Sequence, residues 1–72
     1  MEQKQKPLCL VAGENLKRLI KDSVYRTQEE FAYHFGTDVR TVSRWVNQGI
    51  PNLITLEMIA HFFDVDPLAL LS

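Results

Sequence analysis

A single cysteine, Cys9, leaves the 72-residue chain without a partner for an internal disulfide and without the thiolates of a metal knuckle. Long apolar runs are missing too. The run "LCLVA" at 8–12 is shorter than the roughly seven residues of a secretory core, and nothing approaches a membrane span. No stretch alternates apolar and polar residues long enough to mark a strand, and no repeat or low-complexity tract is present. A chain near this size buries only about 60% of the surface its unfolded form exposes, so one small domain is expected and a deep interdomain cleft is excluded. No nucleophile–base pair, carboxylate dyad or phosphate loop stands at usable spacing, which argues against an enzyme. His34 and His61 lack partners at metal-ligand spacing, so neither a metal nor another cofactor is expected. These absences together describe a soluble cytoplasmic protein.

Positive charge is absent from the last third. All eight bases (Lys4, Lys6, Lys17, Arg18, Lys21, Arg26, Arg40 and Arg44) precede Trp45, and the remainder carries Glu57, Asp64 and Asp66. The net charge of −1 argues against a polyanionic partner, but this distribution suggests one cationic and one anionic end.

What is present is helix punctuation. A first helix is expected from Leu8 to Asp22, with Pro7 at its entrance, an inner stripe of Leu16, Leu19 and Ile20, and Gly13 as an internal liability. Thr27 and Glu30 have the spacing of a capping box, in which each side chain satisfies the other residue's amide; Gly36 ends that second helix. Asp38 caps a third helix to Gln48, stopped by Gly49. Asn52 caps a fourth through Phe63. Asp66 caps a last one with Pro67 at its first position, where Val65 and Leu70 are spaced as a hydrophobic staple. The fold class is therefore all-α, with five short helices.

The second and third helices are joined too tightly to run antiparallel. They must cross steeply, with Ala32 and Gly36 at the corner and Phe31, Phe35, Val42 and Trp45 filling the angle: a helix-turn-helix over 27–48. With Val39 at zero on a wheel of about 100° per residue, Val42, Trp45 and Val46 fall at roughly 300°, 240° and 340°. Arg40, Ser43, Arg44 and Asn47 fall at roughly 100°, 40°, 140° and 80°, on the outer side. Two forked cations, a hydroxyl and an amide suit the major groove, and Val39 at the border suits a thymine methyl. Base contacts are thus expected from Val39, Arg40, Ser43 and Arg44. Phosphate contacts are expected from Arg26, Thr27, Gln28, Thr41 and Asn47, with the helix start at Thr27 pointing at the backbone.

The stretches "GENLKRLI", "TQEEFAYHFGTDVRTVSRW" and "PNLITLEMIAHFFDVDPLALL", in this order and spacing, resemble the Cro/C1-type, lambda repressor-like helix-turn-helix family across residues 13 to 71. The resemblance implies a compact five-helix DNA-binding domain. It matches the family's phosphate-binding glutamine to Gln28, its base-reading positions to Val39, Arg40 and Arg44, and its backbone-contacting polar residue to Asn47. The chain departs from the pattern at Thr37, Val46 and Gln48.

The domain is expected over 8–72, with residues 1–7 as a flexible arm carrying Lys4 and Lys6. Trp45 is expected in the core, and Cys9 as a small buried hydrophobe. On the fourth helix, Leu53, Leu56, Ile59, Ala60 and Phe63 make a core face. Ile54, Met58 and Phe62 make a second stripe, which with Leu70 and Leu71 is a possible homodimer contact. The expected partner is double-stranded DNA with a near-palindromic operator, bound by a homodimer of a prokaryotic or phage transcriptional regulator. The rival reading is an antitoxin or protein-interaction module of the same fold.

Overall fold

The computed structural model describes residues 6–72. Four α-helices, α1 (Leu8–Asp22), α2 (Gln28–Phe35), α3 (Val39–Gln48) and α4 (Leu53–Phe63), precede a 3-10 helix, Pro67–Leu71. There is no strand among the described residues, and no helix there is long and apolar enough to cross a membrane. Lys4 of the expected arm lies outside the described residues; Lys6 meets Glu14 of α1 at 2.5 Å on the surface.

The caps read from sequence are in place. Thr27 Oγ1 accepts from the Glu30 amide at 3.1 Å, Asp38 from Thr41 at 2.7 Å, Asn52 from Thr55 at 2.8 Å and Asp66 from Leu68 at 3.0 Å. Only half of the capping box forms. The Thr27 amide donates instead to the Tyr25 carbonyl at 2.6 Å, and the Glu30 carboxylate lies 3.7 Å from His34. The fifth helix is 3-10 rather than α, in keeping with its five-residue length.

Ala12, Leu16 and Ile20 recur at four-residue spacing and bury one face of α1, with Gly13 beside them. They meet Val42, Trp45 and Val46 from α3, Leu56, Ile59 and Ala60 from α4, and Ile50 and Leu70. Phe31 is fully buried within an aromatic cluster, with the rings of Phe35, Phe62 and Phe63 centred 5.1, 5.3 and 5.3 Å away. Trp45 is buried as expected, its ring edge-on to Phe35 at 5.8 Å. Asn15 Nδ2 donates to the Leu70 carbonyl at 2.8 Å and ties α1 to the C-terminal turn.

Several side chains lie elsewhere than expected. Cys9 is exposed, because the first turn of α1 runs past the end of the core; its carbonyl accepts from the Ile50 amide at 3.1 Å. Leu53 leaves the core face and is 70% exposed. Leu70 is buried and leaves the expected dimer surface, while Phe62, turned to the aromatic cluster, and Leu71 are half-buried against the core. Ile54 and Met58 remain on it, 70% and 54% exposed.

Candidate nucleic-acid interface

The corner between α2 and α3 rests on Gly36, whose φ of 98° and ψ of 28° are left-handed. From there the amides of Gly36 and Thr37 both donate to the Ala32 carbonyl, at 3.0 and 2.9 Å. The chain reverses within two residues, and α3 lies across α2 with its apolar side held by the core. That side is Val42, Trp45 and Val46. Arg40, Arg44 and Asn47 are exposed on the other side, Val39 stands partly exposed at the front and Ser43 is half-buried.

Gln28, the first residue of α2, shares one open concavity with Val39, Arg40, Ser43, Arg44, Asn47 and Gln48. Six of these seven were singled out from sequence; Gln48 was missed. The wheel carried its signal, since Gln48 falls at roughly 180°, next to Arg44. Thr41 faces a separate concavity on the opposite flank of α3, with Cys9, Trp45 and residues 49–51, and Arg44 and Gln48 border both. Arg26 and Thr27 precede α2 and line neither.

Arg26 has a φ of 61° and is the middle residue of the turn closed by the bond from the Thr27 amide to the Tyr25 carbonyl. A three-residue turn with a positive central φ is a strained backbone for an L-residue. It lies between α1 and α2 and sets Arg26 two residues before the first residue of α2. The first-turn amides there are donors without partners inside the helix. Glu29 and Glu30 sit in the same turn and set two carboxylates against the cationic side.

Asp38 is the one carboxylate at the front of α3. The Thr41 amide, and after it the Thr41 hydroxyl, hold its carboxyl below the ordinary value, and Arg40 and Arg44 add to this while burial works slightly against it. Its negative charge is thus turned toward the helix start. Along the outer face, Asn47 Nδ2 donates to Ser43 Oγ at 3.2 Å. No cluster of three or more metal-ligating side chains occurs among the described residues.

No curated protein and no solved structure matches the chain. A helix-turn-helix family model matches residues 16–70, which spans all of α2, α3 and α4. The order of helices, the left-handed Gly36 corner and an outward α3 face of arginines agree with that match, and the chain belongs to the Cro/C1-type helix-turn-helix family of DNA-binding regulators.

Proposed function

We propose that the chain is a sequence-specific double-stranded DNA-binding protein, a prokaryotic or phage transcription regulator, that lays α3 in the major groove. One observation carries this reading: Arg40 and Arg44 stand free on the side of α3 opposite the buried Val42, Trp45 and Val46. A guanidinium can grip guanine O6 and N7 through two parallel hydrogen bonds, and Val39 methyls fit the C5-methyl of thymine. Gln28 and the first-turn amides of α2 that Thr27 does not cap approach a phosphate from the groove's edge, with Arg26 adding charge; such contacts set register rather than sequence. Thr27 and Thr41, at the starts of the two helices, add further phosphate contacts in this reading. Binding, not catalysis, is the activity.

A second copy completes the reading. Leu53, Ile54 and Met58 are exposed on α4, neighbouring apolar side chains of the kind that mark a contact surface. Pairing two such faces about a two-fold axis would set two α3 helices about 34 Å apart, one DNA turn, and require a near-palindromic operator. The same apolar face is what favours a protein partner, such as a toxin, as the alternative. Selection of sites from a random duplex pool, followed by a salt series, tests both: enrichment of an inverted repeat with salt-dependent affinity is expected. Recovery of no sequence by the folded protein would refute the DNA reading.

A further inference from the structure

An α-helix with its side chains is about 10–12 Å across and the major groove is about 12 Å wide, so a helix laid there turns one flank to each backbone. Gln28 stands on one flank of α3. On the other is the second concavity, which Thr41, Arg44, Trp45 and Gln48 line from α3. No carboxylate lines it, and Asp38 is held at the helix start by the Thr41 amide at 2.7 Å. The loop that closes it has no amide to give. The Gly49 amide donates to the Trp45 carbonyl at 3.0 Å, the Ile50 amide donates to the Cys9 carbonyl at 3.1 Å, and Pro51 has none. Any anion received there is held by side chains. Trp45 is the unforeseen one among them. Its ring packs edge-on to Phe35 at 5.8 Å, and a buried indole N–H ordinarily finds a partner. No side-chain hydrogen bond among the described residues involves it, yet no side-chain nitrogen there is both sealed from solvent and unpartnered. The N–H therefore reaches solvent. Trp45 lies only about 40° from Thr41 around α3, at the edge of the apolar sector that borders this concavity.

We propose that the Trp45 indole N–H is a phosphate donor: with the Gln48 amide, and in the positive field of Arg44, it holds an oxygen of the backbone across the major groove from Gln28. The inference rests on the DNA-binding reading and adds the second wall of the groove to it. An indole N–H only donates, and the oxygens of a phosphodiester only accept. Arg40, a base contact in that reading, lies about 140° from Trp45 around the helix, so the N–H meets the groove's wall and not a base edge. The ring is already fixed in the core, so this donor gives up little side-chain freedom on binding. Contacts on both backbones set the depth and tilt of α3 without reading sequence.

Binding to the duplex that wild type selects, measured for two altered proteins, tests the assignment. In the first, Trp45 is replaced by 3-benzothienylalanine, which keeps the shape of the ring and has sulfur in place of the N–H; a chain of 72 residues is within reach of chemical synthesis. The second is Gln48→Ala. The sulfur protein should bind the selected site and its single-base variants alike about ten-fold more weakly, the lower end of what a hydrogen bond to a charged group contributes. Its salt slope should stay that of wild type, since no charge is removed. Gln48→Ala should lose affinity in the same even manner. Single methylphosphonate substitutions along the duplex then locate the contact. At one position, on the backbone away from Gln28, the sulfur substitution should cost nothing further. Unchanged affinity of the sulfur protein, or a loss that is the same at every methylphosphonate position, would overturn the proposal and leave Trp45 to the core alone. The scan decides even if the sulfur protein melts lower, because a packing defect weakens binding without coupling to one phosphate. A wild-type protein that enriches no duplex would remove the DNA-binding reading itself, and this inference with it.

Discussion

The Trp45 carbonyl oxygen lies where a side chain at position 13 would have to begin. A Cβ built on Gly13 falls well under 3.0 Å from that oxygen and 3.4 Å from Val46 Cα. The closest approach of α1 to α3 is therefore backbone against backbone, and it fixes the depth at which α3 is seated. Two effects of Gly13→Ala oppose each other. Helix propensity favours alanine by about 1 kcal/mol. Overpacking against a backbone that cannot rotate aside costs roughly 3 kcal/mol. Overpacking wins, so Gly13→Ala is expected to lower the urea midpoint at unchanged m-value, and a midpoint at or above wild type would show that the approach is not tight.

The misread positions share that kind of cause. Gly13 looks like a liability when the helix is taken alone, because the atom that excludes a side chain belongs to α3. Caps were legible because donor and acceptor sit two or three residues apart. The face of α3 was legible because its charged and apolar residues divide cleanly around the wheel. α4 is apolar nearly all round, so periodicity could not choose between Leu53, which is exposed, and Phe62, which packs on Phe31 and Phe35. Leu70 was misassigned because the helix that covers it is remote in sequence: Asn15 of α1, which bonds its carbonyl, lies 55 residues away.

The Asp38 cap makes stability depend on pH in a known direction. Its carboxyl titrates lower in the folded chain than in the unfolded one, where about 3.9 is usual. The contribution is complete above the unfolded value and is lost as pH falls through the folded one, because the unfolded state then binds the extra proton. Melting temperature should therefore decline as pH drops below about 4. Asp38→Asn, which caps without titrating, should flatten that part of the profile. An equal decline in both proteins would assign the acid sensitivity to other carboxylates.

Backbone strain and charge at Arg26 can be separated. Glycine adopts a φ of 61° without the roughly 1–2 kcal/mol penalty of an L-residue, less the entropy it gains when unfolded. Arg26→Gly should be at least as stable as wild type, whereas the β-branched Arg26→Val should melt lower. Both should bind duplex more weakly at low salt, with a shallower salt dependence. Greater stability of the valine variant would mean that the turn at Arg26 is not left-handed in solution.

Arginine and glutamine contacts differ in what their loss does. Arg40→Ala and Arg44→Ala should each cost about 1–3 kcal/mol at the preferred site and relax selectivity at one position. Gln28→Ala should weaken all duplexes more evenly, since a phosphate contact carries no sequence information. Competition binding against single-base variants of the selected site separates the cases. Unchanged site affinity in both folded arginine variants would move the interface off α3.

Ile54 and Met58 test whether the exposed side of α4 pairs two copies. They lie one turn apart with Leu53 beside them, and Glu57 and His61 are the polar residues of the same surface. In an antiparallel pairing about a two-fold axis centred between them, Ile54 of each chain comes opposite Met58 of the other, so the apolar positions cover one another. Met58→Glu would bury a charge in such a contact and leave the monomer's core intact, because Met58 is already 54% exposed. Sedimentation should show wild type associating with concentration and Met58→Glu remaining monomeric with the same melting temperature at low concentration. On DNA, the variant should retain its affinity for a single half-site and lose the cooperativity between two. If both proteins sediment as monomers and fill paired half-sites independently, α4 is not a self-association surface and the symmetric operator falls with it.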